Sequence, residues 1–290
     1  MIFQGCYTAL VTPFRDGVVD YAALERLVEE QIAAGVSGVL PVGTTGESPT
    51  LSYREHDAVI EFVVRKVNHR IQVIAGTGAN STEEARALSR HAADVGADAT
   101  LQVTPYYNKP TPEGLYRHFS EVAEFSGIPA VLYNVPGRTG REIPLDVVQR
   151  LAAHPLIGAI KEAAGSVERV NAIRDRCDLP ILSGDDSLTL PMMAVGASGV
   201  ISVASNIIPK DVSLMVSRML QGDLAGAYAI HRQFYPLFRD LFVESNPIPI
   251  KAAMAELKML CEEYRLPMCE MEPANRAKLI ASMKRCGLLK

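Results

Sequence analysis

From the N-terminus to about residue 222, short runs of consecutive apolar, β-favouring residues alternate with longer stretches whose apolar positions recur every three or four residues. The short runs read as strands: CYTALVT, SGVLPVG, IQVIAG, ADATLQVTP, PAVLYNV, IGAIKE, PILSGD and GVISVA. Continuous apolarity marks strands covered on both faces, as parallel strands wrapped by helices are. Eight successive βα units predict an α/β fold, a (β/α)₈ barrel, over residues 1–222. The helix signals agree. After Asp20, an N-cap residue type, Leu24, Leu27, Val28 and Ile32 fall on one helix face. Ser81 followed by Glu84 predicts a capping box at the start of the third helix.

Beyond residue 222 the strand pattern stops, and residues 223–290 read as helices broken at Asn246-Pro247-Ile248-Pro249 and Leu266-Pro267. This C-terminal helical appendage is too small to bury much core alone, so it is expected to pack on the barrel or on a neighbouring subunit. The 290 residues suit one barrel of roughly 250 residues plus such an appendage.

Composition narrows the chemistry. A formal net charge of -4 without Lys/Arg blocks gives no footprint for nucleic acid or an anionic membrane, which leaves a small-molecule substrate. The five cysteines, Cys6, Cys177, Cys261, Cys269 and Cys286, are scattered, with no zinc spacing, and read as reduced thiols. The start MIFQGCYTAL lacks a basic segment followed by a long apolar one, and charges interrupt every apolar run, so a cytoplasmic protein is expected.

In barrels of this class the site lies at the C-terminal ends of the strands. The second run ends in Gly43-Thr44-Thr45-Gly46-Glu47-Ser48, where glycines permit close backbone approach and hydroxyls and backbone N–H groups can meet an anion. Taken alone, the same loop is an ordinary βα turn. The sixth run places Lys161 at the end of an apolar strand, where burial disfavours the charged form and frees an amine to attack a ketone. The competing reading is a strand-end lysine reaching bulk water. The fifth run brings Tyr133 to the adjacent strand end, a phenol able to pass protons with Thr44 as partner, and Arg138 into the next loop, a planar fork for a carboxylate or a surface ion pair. The fourth run ends in Tyr106-Tyr107, whose side chains point opposite ways in an extended segment, one to the site and one to a partner surface. Small residues in Ser183-Gly184-Asp185-Asp186 and Gly199–Val203 leave room at the mouth. The two aspartates lack a third ligand, so helix capping is expected of one of them and no metal or other cofactor is predicted.

With GTTGES, TPYYNKP, YNVPGRTG, IKEAAG, SGDD, GVISV and NPIPIK in this order, the chain resembles the dihydrodipicolinate synthase family from end to end. The resemblance implies a lyase that condenses pyruvate with L-aspartate 4-semialdehyde through a lysine Schiff base, in the diaminopimelate branch of lysine biosynthesis. It implies Lys161 as the Schiff-base residue and a proton relay of Tyr133, Thr44 and Tyr107, the last from a neighbouring subunit of a homotetramer. Thr45 would hold the pyruvate carboxylate, Arg138 the carboxylate of the aldehyde, and the Ile201 carbonyl would line the pocket. Ser48, His56, Asn80, Glu84 and Tyr106 match the cleft at which relatives bind L-lysine as an inhibitor, although Tyr53 stands where lysine-regulated relatives often carry histidine. The alternative on the same barrel is an N-acetylneuraminate or 2-keto-3-deoxy sugar acid lyase, and Arg138 after NVPG favours the synthase.

Overall fold

The computed structural model describes residues 2–290. Strand β1 (Gly5–Ala9) is followed by a short hairpin of β2 (Phe14–Arg15) and β3 (Val18–Val19). Then come β4 (Gly38–Leu40), β5 (Gln72–Gly76), β6 (Ala99–Val103), β7 (Ala130–Asn134), β8 (Ile157–Glu162), β9 (Ile181–Ser183) and β10 (Gly199–Ser202), each leading into a helix. All but the hairpin form one closed parallel barrel in the order β1-β10-β9-β8-β7-β6-β5-β4. The eight runs of consecutive apolar residues are these eight strands.

Alternation along each strand divides the core into two layers. Val131 and Tyr133 of β7 point into the barrel with Leu40, Ile74, Leu101, Ala159, Leu182 and Ile201. Leu132, Ile160, Ile181 and Val200 point outward into the helical layer. Full burial of each large aliphatic side chain contributes about 1.5–3 kcal/mol, so the wall is held by apolar packing and its mouth is left free to carry polar groups.

The helices start where side-chain oxygens can satisfy their first N–H groups. Asp20 accepts from the Ala23 N–H, and Ser81 from that of Glu84. The capping box predicted at Ser81 forms only in this half, because the Glu84 carboxylate instead accepts a hydrogen bond from the Tyr53 hydroxyl at 3.1 Å. A complete box stands one helix earlier, between Ser52 and Glu55.

Beyond the last barrel helix (Pro209–Leu220), the helices Leu224–Asp240, Ile248–Glu256 and Pro273–Arg285 form the C-terminal appendage. The middle one is buried from Ile248 to Met254, so it packs as a core element across the barrel mouth rather than as a surface helix. Among the described residues, no helix is long and apolar enough to cross a membrane.

Candidate active site

Lys161 and Tyr133 stand opposite each other on β8 and β7. Both are almost fully buried, and the lysine amine lies 4.2 Å from the centroid of the tyrosine ring. The strand-end lysine therefore does not reach bulk water; it is held over an aromatic face inside the barrel. Gly184, at the end of the SGDD run, gives it room: a Cβ there would come within 3.1 Å of the Lys161 Cε and 2.6 Å of the Ala163 Cβ. Burial raises the pKa of the neighbouring Asp185 carboxyl, and the charge of Lys161 opposes that rise.

Tyr133 also lines, with Thr44 and Arg138, a cavity of about 490 Å³. Ser48, His56, Glu84 and Tyr106 line the same cavity, so members of both predicted sets share it, whereas Lys161, Thr45, Tyr107, Ile201 and Asn80 do not line it. The His56 ring nitrogen Nε2 meets the Gly76 carbonyl at 2.9 Å, and burial holds the pKa of the imidazole below its ordinary value. Asn80 sits at the rim, its amide donating to the Tyr106 carbonyl and its own carbonyl accepting from Asn108.

The loop after β4 turns tightly under the cavity. A Cβ on Gly46 would meet the Val42 backbone at 2.9 Å, so glycine is required by close approach. Thr44 faces the cavity, whereas the Thr45 hydroxyl is turned to Asn246 and accepts from its side-chain amide at 2.9 Å. With that lone pair engaged, the Thr45 O–H is left to donate. The backbone carbonyl of the same Asn246 accepts from the Arg138 guanidinium at 3.2 Å, so one residue of the C-terminal segment touches both predicted carboxylate-binding side chains. Glu47 closes the loop in a left-handed conformation and pairs with Lys251, both side chains being withdrawn from solvent. A buried pair of this kind requires accurate geometry, and it fixes the loop to the C-terminal helix.

Ile201 lines the barrel interior on β10, beside Tyr133 in the inner apolar cluster. Tyr106 is partly buried against the cavity, while Tyr107 projects outward, 89% exposed and with φ +71°. The pair does diverge, but through a left-handed backbone rather than an extended one. Asp186 caps a helical turn as predicted of one aspartate, although the turn is Ala204–Asn206 of the neighbouring unit, whose Val203 and Ala204 N–H groups it accepts at 3.0 and 2.9 Å. Among the described residues, no group of three or more His, Cys, Asp or Glu side chains is placed to hold a metal ion.

Asn246 and Lys251 stand in the NPIPIK motif, but their partners lie about two hundred positions away, so no local pattern marks these contacts. Asn134 and Glu162 were missed as well, although they directly follow Tyr133 and Lys161.

The model of the dihydrodipicolinate synthetase family matches residues 2–286. A 4-hydroxy-tetrahydrodipicolinate synthase of a Hydrogenobaculum species is 50% identical over 290 residues, covering 99% of this chain and 100% of its own. Among solved structures, a chloride-inhibited dihydrodipicolinate synthase from Acinetobacter baumannii complexed with pyruvate superposes with a TM-score of 0.96 at 45% identity, covering 99% of each chain. A second, from Cyanidioschyzon merolae with lysine bound, superposes with a TM-score of 0.95 at 40% identity, again covering 99% of each chain.

Proposed function

This chain belongs to the dihydrodipicolinate synthetase family, and we propose that Lys161 is the amine with which it captures pyruvate as a Schiff base. The reaction is the condensation of pyruvate with L-aspartate 4-semialdehyde to 4-hydroxy-tetrahydrodipicolinate, in lysine and diaminopimelate biosynthesis. The observation that carries the assignment of Lys161 is its amine, buried and 4.2 Å from the ring centroid of Tyr133, a residue that itself lines a cavity with Thr44 and Arg138.

The chemistry follows from these groups. The Lys161 nitrogen adds to the pyruvate ketone, and protons pass through the Tyr133 and Thr44 hydroxyls as the carbinolamine loses water. The iminium draws electrons as a methyl proton leaves, giving an enamine. Its methylene carbon attacks the aldehyde, and the alkoxide takes up a proton. The amino group of the former semialdehyde then replaces the lysine nitrogen, closing the ring and freeing Lys161. One water leaves in the whole sequence. Thr45 and the N–H groups beside it receive the pyruvate carboxylate, Arg138 receives the carboxylate of the second substrate, and the Ile201 carbonyl faces the pyruvate pocket.

Tyr107 belongs to the same relay in a neighbouring subunit of a homotetramer. Its outward projection supports this, since an 89% exposed phenol is free to reach a second chain. L-lysine is the inhibitor of the cavity's other end, where Glu84 offers a carboxylate to its ammonium. The Cyanidioschyzon merolae structure, described as having lysine bound, supports that ligand. Substrate profiling tests the assigned reaction: condensation with the semialdehyde is expected to exceed cleavage of N-acetylneuraminate and of 2-keto-3-deoxy sugar acids, and the reverse order would overturn it.

A further inference from the structure

The rungs that bring Tyr133 opposite Lys161 continue to Asn134 opposite Glu162. Strand alternation turns the first pair into the barrel and the second out of it. On that outer face Leu132 and Ile160, one turn of the pleat earlier, are packed in apolar surroundings, so a carboxylate at Glu162 is a departure. It is wholly buried and completely satisfied. The Asn134 amide donates to both of its oxygens at 2.9 and 3.0 Å, the Ala164 N–H donates at 2.8 Å, and the Arg169 Nε donates at 2.9 Å.

The same cluster reaches the loop that carries Arg138. The Asn134 side-chain oxygen Oδ1 accepts from the Ile143 N–H at 2.9 Å, and Arg169 donates to the Ile143 carbonyl and pairs with Glu142. Strand β7, the turn after β8 and the helix bearing Arg169 therefore meet at the Glu162 carboxylate, and Asn134 and Arg169 tie that cluster to the segment 142–143 that follows Arg138.

Gross stability does not explain it, because well-packed apolar residues at such positions are often as stabilising as a buried ion pair or more so. Register does. The β7–β8 ladder shifts between Ala130 and Val131: Ala130 pairs with Ile157, but Val131 pairs with Ala159. Without that shift, continued pairing from Ala130 would set Lys161 opposite Asn134 and put the lysine and the phenol on different levels. A one-residue slip in a ladder reverses the faces of every side chain, so something beyond the shift must hold the strands in the working register.

Resting on the assignment of Lys161 as the imine-forming amine, we propose that Glu162, gripped by Asn134 and Arg169, is a positioning residue that locks β7 to β8 so that Tyr133 and Lys161 share one level. It acts through the strands and touches no substrate.

The test compares Glu162→Gln with Asp240→Asn, a change at another buried carboxylate, which joins the helices Leu224–Asp240 and Pro273–Arg285 through Ser282 and Lys278 and does not line the cavity. Thermal midpoint, kcat and the rate of borohydride trapping with pyruvate are measured for both. A misplacement of the reacting groups by about 1 Å costs on the order of 100-fold, so Glu162→Gln is expected to lose about 10- to 100-fold in kcat and in trapping rate. Asp240→Asn is expected to lose thermal midpoint with kcat unchanged. Arg169→Lys, which keeps the charge but not the fork, should be impaired less than Glu162→Gln, and it replaces that variant if the glutamine chain does not fold. Wild-type trapping and turnover rates in the folded Glu162 or Arg169 variant would overturn the proposal, as would equal kcat losses in the Glu162 and Asp240 variants. If wild-type enzyme is not labelled at Lys161, the Schiff-base assignment itself falls; labelling with unimpaired variants removes only the positioning role.

Discussion

The amine of Lys161 faces the ring of Tyr133 at 4.2 Å from its centroid, across neighbouring strands and on the same rung of the ladder. The ring packs against the amine by its π-face, and in the proposed mechanism the hydroxyl is a separate element that passes protons. Tyr133→Phe separates the two. The variant is expected to fold normally and lose about 100- to 10,000-fold in kcat, the usual contribution of positioned proton transfer. Stopped-flow turnover checks this, and a kcat within a few-fold of wild type would remove the phenol from the relay.

Arg138 is held by the Asn246 carbonyl with its guanidinium lining the cavity. On the proposed assignment it meets the second substrate and not the first, so Arg138→Ala should still form the pyruvate adduct. A hydrogen bond to a charged group is worth about 1.5–3 kcal/mol, so kcat/KM for the semialdehyde should fall by about 10- to 150-fold. Steady-state kinetics with each substrate varied in turn provide the measurement, and unchanged kcat/KM would contradict the assignment.

Glu84 accepts a hydrogen bond from Tyr53 at the far end of the cavity, and an incoming ammonium must compete with that phenol. L-lysine is expected to inhibit, and Glu84→Thr to weaken inhibition without lowering basal turnover. Calorimetry with millimolar lysine checks it. An absence of binding heat and of inhibition in the wild type would end the proposal.

Stability should fall on mild acidification because of His118. Its Nδ1 meets the Thr82 hydroxyl, its Nε2 is buried without a partner, and burial lowers its pKa from 6.5 to about 4. The unfolded chain takes up a proton near pH 6.5 and the folded chain only near 4, so this contribution is complete above 6.5 and is lost as pH falls toward 4. Unfolding free energies of wild type and His118→Gln should therefore converge as pH falls from 7 to 4. A difference constant across that range would refute the assignment.

The barrel was legible because each strand is buried on both sides and reads as a continuous apolar run, and Lys161 was legible because it interrupts one. The hairpin Phe14–Val19 was not, since two-residue strands leave no period to detect. Glu84 illustrates another limit: its capping geometry was correct by spacing, yet Tyr53, 31 positions away, took its carboxylate. Asn246 and Lys251 act through contacts that only the folded chain creates, with partners about two hundred positions away, whereas Arg169 reaches back seven residues to Glu162 across the turn after β8, from a helix to a strand, so the period of neither element marks it.

Reductive trapping reads directly whether Lys161 forms the covalent link to the keto acid. Incubation with saturating pyruvate and sodium borohydride, followed by peptide mass mapping, is expected to place a stable adduct on the peptide containing Lys161 and to abolish activity in step with labelling. Full activity with Lys161 unmodified under those conditions would contradict the account.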